Sequence, residues 1–315
     1  MGWWALVTDV SGPRMGRALV TGVSGSVGGV LAARLRGGGF EVRTLVRTGE
    51  QAERSRAAGW LPVYGDLENP STLAEAVAGV DVVVHAAAYL GTDWTTAEAV
   101  NVRGTSALAV EARAAGVRRF VHISTMSAHG EPQPDGLSET SSLAVADETH
   151  AYVATKARAE VQIAGMRAPD FAVTVLRPGA ICSSTNSSWG DRLVQRLHAN
   201  GWPAARHPLD VIPWVHTEDL ASMTLLCATT SAAADETFLA VDANVSLAEF
   251  WGPICEALEV PIHVPDRSPT ISRCQIGKIR GALGYEPRHG FDDTVAELVD
   301  YAWRVRGQLD VGTRP

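Results

Sequence analysis

Six short apolar runs rich in β-branched residues recur over the first 180 positions, at 17–22, 41–47, 61–66, 81–88, 118–125 and 171–179. Helical patterns stand between them at 26–39, 71–79, 97–116 and 152–166. Strands that alternate with helices make βαβ units, so the sheet they form is parallel and its crossovers right-handed. Runs that are apolar almost throughout suit a sheet covered on both faces. This rhythm predicts an α/β fold with a doubly wound parallel sheet over residues 15–180.

After residue 180 the rhythm changes. Residues 200–214, "GWPAARHPLDVIPW" after Asn200, read as irregular, and helices are expected near 217–229, 247–258, 271–283 and 291–306. Residues 181–315 therefore read as a smaller, mainly helical portion over the carboxyl edge of the sheet, with room for segments to return to it. At the other end, "ALVTDVSG" at 5–12 nearly repeats "ALVTGVSG" at 18–25 without the later glycines or a following helix. Residues 1–14 read as an extension ahead of a natural start at Met15.

The first strand runs into "TGVSGSVGG" at 21–29, which spaces Gly22, Gly25 and Gly28 three apart. Gly22 permits a tight turn, Gly25 lets a pyrophosphate approach the backbone, and Gly28 lets the helix pack against the strand. The helix start then offers free N–H groups and a partial positive charge to an anion. At the first strand–helix junction of a βαβ series this pattern points to a Rossmann-type dinucleotide site. The second strand ends "TLVRTGE", with Arg47 where an acid would bind a ribose 2′-hydroxyl. A guanidinium fork suits a 2′-phosphate, so NADP(H) is expected over NAD(H).

Lysine is scarce here: there are 27 Lys and Arg together, and only Lys156 and Lys278 are lysines. Lys156 stands four residues after Tyr152 in a helical segment. Positions i and i+4 share a helix face, and an ammonium beside a phenol favours the phenolate. Such a tyrosine can exchange a proton with a carbonyl or alcohol oxygen, the acid–base half of hydride transfer. The fifth strand ends in the hydroxyls of Ser124 and Thr125, at the edge where a parallel sheet binds its ligands.

A net charge of −8 argues against a nucleic-acid surface. No apolar run reaches the span of a membrane helix. The four cysteines lack metal-ligand or disulfide-framework spacing, so no metal site is expected and a reducing, cytoplasmic setting is.

With these residues in place the chain resembles the extended short-chain dehydrogenases/reductases of the NAD(P)-dependent epimerase/dehydratase type. The resemblance spans roughly residues 16–305 and rests on "TGVSGSVGG", "YGDLEN", "VVVHAAA", "NVRGT", "FVHISTMSAHG", "YVATK", "LRPGAI" and "WVHTEDLA" in that order. It implies Tyr152, Lys156, Thr125 and Asn101 as the catalytic set. It implies a cofactor site built from Gly22, Ser24, Gly25, Ser26, Val27, Gly28, Arg47, Asp66, Leu67, Ala86, Ala87, Ser124, Tyr152, Lys156 and Pro178. Asp66 would accept from the adenine amino group, Lys156 would also hold the nicotinamide ribose, and Asn101 would serve structure and proton relay. Many members dimerise through the helices that carry the asparagine and the tyrosine, which implies a homodimer.

The sequence departs from nucleotide-sugar members in "SAHG", where His129 replaces a common tyrosine, and in "AICSSTNSSWG" after "RPG". The expected activity is therefore NADP(H)-dependent ketone reduction or alcohol oxidation on a small apolar or aromatic metabolite. The alternative is a nucleotide-sugar epimerase or reductase. Tyr89, Leu90, Trp94, His129 and Trp189 are expected to bound the substrate. In "WVHTEDLA", Thr217 reads as a helix N-cap rather than His216 as a catalytic group.

Overall fold

The computed structural model describes residues 15–130 and 136–312, with the backbone alone for 308–312. The extension expected at 1–14 lies outside the described residues. The six runs form β1 (Arg17–Thr21), β2 (Glu41–Val46), β3 (Leu61–Tyr64), β4 (Val82–His85), β5 (Arg119–Ile123) and β6 (Ala172–Pro178). Between them lie α1 (Gly28–Gly37), α2 (Gly49–Ala57), α3 (Leu73–Val77), α4 (Trp94–Ala97), α5 (Thr105–Ala114) and α6 (Ala151–Ala164). A π-helical segment, Glu98–Gly104, joins α4 to α5. All four residues of β4 are buried, as a strand covered on both faces requires.

The second half holds more strand than its sequence suggests. β7 (Ala180–Cys182), α7 (Asp191–Asn200), β8 (Val211–His216), α8 (Thr217–Thr229), β9 (Thr237–Ala240), β10 (Ala243–Ser246), α9 (Leu247–Leu258), α10 (Lys278–Leu283) and α11 (Phe291–Gly312) follow in order. The main sheet has seven strands in the order β3-β2-β1-β4-β5-β6-β9, every pair parallel. A three-stranded sheet, β10-β8-β7, stands apart.

Two expectations change, and a return to the sheet that the sequence left room for is seen. The seventh strand, β9, pairs with β6 in the main sheet. Residues 211–216 form a strand rather than irregular chain. The helix expected over 271–283 is confined to α10, because Asn244 holds Cys274 in extended conformation: its Nδ2 donates to the Cys274 carbonyl and its Oδ1 accepts from the Cys274 N–H.

Two cores result. One buries Val20, Leu31, Leu35 and Val84 together with Leu220, Met223 and Phe238, so α8 and β9 belong with the main sheet although they follow residue 180. The other buries Leu193, Leu197, Phe250, Ile254 and Leu298 with Trp202, Trp214 and Trp251, and it unites α7, α9 and α11. The capping box of Ser246 and Glu249 starts α9.

Candidate active site

The backbone first sets the shape of the nucleotide end. Gly22 has φ +77°, and a Cβ there would lie 2.7 Å from the Ala87 nitrogen. A Cβ on Gly28 would lie 2.3 Å from the Gly22 oxygen. The turn therefore folds down onto β4 and onto α1 at once, which leaves its outer face open at the start of an α1 that no side chain caps. A pyrophosphate fits that geometry.

One cavity of about 1590 Å³ extends from this turn past the carboxyl ends of β1 to β6. A single small ligand usually occupies about 300–1,000 Å³, so the space suits a dinucleotide and a second molecule. Its walls hold every residue expected to bind the cofactor, including Arg47 after β2, Asp66 and Leu67 after β3, and Ala86 and Ala87 after β4. Tyr89, Leu90 and Trp189 line it too.

Trp94 and His129 do not line it. Trp94 lies under the Arg158 guanidinium at 5.7 Å. His129 is buried, its Nδ1 paired with the Ser142 carbonyl at 3.0 Å and its Nε2 3.3 Å from Arg177. The tryptophans likewise serve the helical core more than the cavity: Trp202, Trp214 and Trp251 are buried among α7, α9 and α11. Among the described tryptophans, it is Trp189 that reaches the cavity wall.

Asn101 is also a buttress. It is buried in the π-helical segment, where Oδ1 accepts from the Tyr89 N–H at 2.7 Å and Nδ2 donates to the Tyr89 carbonyl and the Thr155 hydroxyl at 3.0 Å each. It fixes the chain after β4 against α6.

Tyr152 is the second residue of α6, and its phenol lies near the Thr125 hydroxyl after β5. Burial raises the phenol above its ordinary value of 10, and the nearby Thr125 hydroxyl offsets only part of that. The sequence argument has the lysine lowering the phenol. The lysine is engaged elsewhere: Lys156 Nζ donates to the Ile123 carbonyl at 2.8 Å and stands 3.0 Å from His122 Nε2. Burial lowers Lys156 to about 8, with Glu160 opposing the fall.

Behind this pair lies a charged cluster. Glu160, four residues after Lys156, accepts two hydrogen bonds from Arg177 at 2.7 and 2.9 Å through Oε2. Ser124 donates its hydroxyl to Glu160, so that hydroxyl turns inward while its residue still borders the cavity. Arg177 Nη1 also donates to the Glu139 carbonyl at 2.9 Å. Glu160, Arg177 and His122 are the neighbours of the site that sequence reasoning missed. The i+4 spacing from Lys156 to Glu160 was a signal for one of them.

His216, Asp219 and His289 offer ligand atoms within 4.8 Å of one another. The two imidazoles stack at 4.1 Å and 17°, so their in-plane lone pairs run side by side and do not converge on one point. Asp219 accepts from the Arg288 and His289 N–H groups at 2.9–3.2 Å, which ties that loop to α8. The group is structural, and it is His216, not Thr217, that caps α8, by accepting from the Glu218 N–H. Thr217 instead donates to the Cys182 carbonyl at 3.1 Å.

Residues 18–240 match the model of the NAD dependent epimerase/dehydratase family. The chain is 32% identical over 258 residues to a 4-hydroxy-2-methyl-3-oxo-4-farnesyl-3,4-dihydroquinoline-1-oxide ketoreductase of Stigmatella aurantiaca, covering 79% of this chain and 75% of that one. It is 32% identical over 184 residues to a 2-alkyl-3-oxoalkanoate reductase of Stenotrophomonas maltophilia, covering 57% of this chain and 55%, about half, of that one. Among solved structures, a short-chain dehydrogenase/reductase superfamily protein of Agrobacterium tumefaciens with bound NAD superposes with a TM-score of 0.77 at 25% identity, over 95% of this chain and all of that one. A dTDP-glucose 4,6-dehydratase of Streptomyces venezuelae with bound NAD gives 0.75 at 26% identity, over 93% of this chain and 98% of the other.

Proposed function

The chain belongs to the NAD-dependent epimerase/dehydratase family of extended short-chain dehydrogenases/reductases, and from that premise we propose that it is an NADP(H)-dependent reductase of ketones on small apolar or aromatic metabolites. The observation that carries the reading is that Tyr152, Thr125 and Lys156 together line a cavity large enough for two ligands. Burial keeps the Tyr152 phenol protonated at neutral pH, the state a donor to a ketone oxygen needs.

The residues fit the cofactor. Gly22, Ser24, Gly25, Ser26, Val27 and Gly28 would hold its pyrophosphate, Asp66 and Leu67 its adenine, and Arg47 a 2′-phosphate. Ser124, Lys156 and Pro178 would hold the nicotinamide end. When bound, the nicotinamide supplies the hydride. The protein's own part is to place the ketone oxygen between two hydroxyls. Tyr152 Oη gives it a proton as negative charge develops, and Thr125 Oγ1 orients it by a hydrogen bond. Lys156 favours the phenolate left behind. The wall around the substrate has Leu137, Trp189, Val211, Ile212 and Pro213 among its members, which suits an apolar ligand. Two curated relatives carry the names of ketone-reducing enzymes, in the same direction.

The test is an NADPH-oxidation screen that sets aromatic and polycyclic ketones against UDP- and dTDP-hexoses. Turnover of ketones is expected, with Tyr152→Phe losing about 10²–10⁴-fold in kcat. Arg47→Asp should raise the apparent KM for NADPH far more than that for NADH. Turnover confined to the sugars, or a fully active Tyr152→Phe, would overturn the assignment.

A further inference from the structure

His122 is the next-to-last residue of β5 and is 0% exposed. Its Nε2 stands 3.0 Å from Lys156 Nζ. Its Nδ1 is buried and has no hydrogen-bond partner among the described residues. Its ring stacks on that of His85 at 5.4 Å and 27°. His85 is itself held at both nitrogens, by Thr21 at 2.8 Å and Thr105 at 2.9 Å.

An imidazole whose Nδ1 meets nothing is a poor core residue. A phenylalanine or leucine would fill the same space without a stranded polar atom. The cost of that atom is accounted for if the opposite nitrogen has work to do. A lysine ammonium has three donors and no acceptor, so the group facing it must offer a lone pair. That fixes the tautomer: the proton is on Nδ1, the unpartnered atom, and Nε2 is free to accept. Without His122, the Ile123 carbonyl is the hydrogen-bond partner left to Nζ among the described residues.

We propose that His122 is a positioning residue for Lys156, accepting a hydrogen bond from the ammonium through Nε2 and so holding Nζ charged and in place for Tyr152. The proposal deepens the reductase reading and rests on it for its catalytic meaning.

The charges around the pair agree. From α6 come Glu160 and the Tyr152 phenol, from β6 Arg177, and from β4 the His85 ring. Arg177 and Lys156 together already outnumber the single carboxylate, so a third cation on His122 is disfavoured. Burial first, and then Lys156, holds His122 well below the ordinary histidine value, and burial takes His85 down to about 3. Both rings are neutral at working pH, as an acceptor must be.

Because the chain has only two lysines, the test is direct. A ¹³Cε–¹H titration of the wild type shows two lysine signals, and Lys278→Arg assigns them. An acceptor stabilises the ammonium and raises its pKa, so His122→Phe should lower the Lys156 titration by about one unit or more. His122→Gln places an amide oxygen where Nε2 was and should return it to within about 0.3 units of wild type. In the wild type, long-range ¹H–¹⁵N spectra should show His122 as the Nδ1–H tautomer, a readout that survives if His122→Phe does not fold. With NADPH and a ketone, kcat should fall about tenfold in His122→Phe, recover in His122→Gln, and leave the NADPH KM within about twofold. An Nε2–H tautomer, a Lys156 titration unmoved by His122→Phe, or one that His122→Gln lowers as far as His122→Phe does, overturns the proposal. These titrations need no turnover, so failure of the reductase assignment and failure of this one are told apart.

Discussion

The Glu160–Arg177 pair offers a prediction whose size follows from its surroundings. Both side chains are buried, 3% and 6% exposed, and the carboxylate is held by two nitrogens of the guanidinium. Removing one partner of such a pair strands a charge, at a cost of about 3–5 kcal/mol. The two removals should not cost the same. Two cations, Arg177 and Lys156, share the single carboxylate. Glu160→Leu leaves both unbalanced, whereas Arg177→Met leaves Glu160 facing the Lys156 ammonium. Glu160→Leu should therefore fall at the upper end, about 5 kcal/mol, and Arg177→Met nearer about 3. In the double variant no charge of the pair is stranded, although Ser124, His129 and the Glu139 carbonyl lose partners. Its cost should be at least about 2 kcal/mol below the sum. Urea unfolding at pH 7 measures all three. The sign with pH is also fixed. Lys156 is lowered from 10.5 to about 8, so the unfolded chain binds the extra proton between those values, and this group's contribution to stability rises with pH across that window. Losing Glu160 lowers Lys156 further, so Glu160→Leu should be hurt less at pH 9.5 than at pH 7. Additivity within about 0.5 kcal/mol, or equal loss at both pH values, would refute the reasoning.

Three further outcomes are expected. Gly28→Ala drives a Cβ into the Gly22 carbonyl, 2.3 Å away, and should abolish quenching of protein fluorescence by NADPH while the far-ultraviolet dichroism is kept. Tyr285→Phe removes the 2.6 Å hydrogen bond to Asp242, whose carboxyl burial raises to about 6; the loss should be about 1.5–3 kcal/mol at pH 8, where Asp242 is ionised, and smaller at pH 5, in urea titrations at the two values. Trp202→Ala should cost about 3–5 kcal/mol because its ring is core, whereas Trp189→Ala should act chiefly on the KM for the ketone because its ring lines the cavity.

How much of this was legible follows from where each signal sits. Five of the six strands of the first half announce themselves as largely apolar, β-branched runs, β3 (none of it buried) being read from its place in the βαβ rhythm, and Tyr152 and Lys156 because a helix fixes the meaning of their spacing. β8 is hidden by its own Pro213, since proline cannot donate to a ladder and argues against a central strand. The register resolves the conflict. β7 pairs only from Trp214 to His216, so Pro213 faces a partner strand on the β10 side alone. β9 is four residues long and carries no period to read; only its place beside β6 makes it a strand. The same limit governs the site. Glu160 shares a helix with Lys156, but Arg177 and His122 come from β6 and β5, and their approach depends on the parallel register that sets His122 against Val175. Charge follows register. A tyrosine–lysine spacing says that the ammonium could lower the phenol. It does not say that strand β5 presents a carbonyl and an imidazole to take that ammonium's hydrogen bonds, or that burial then lifts the phenol instead. The direction in which the site is poised, toward giving a proton, is a property of packing around the motif and not of the motif itself.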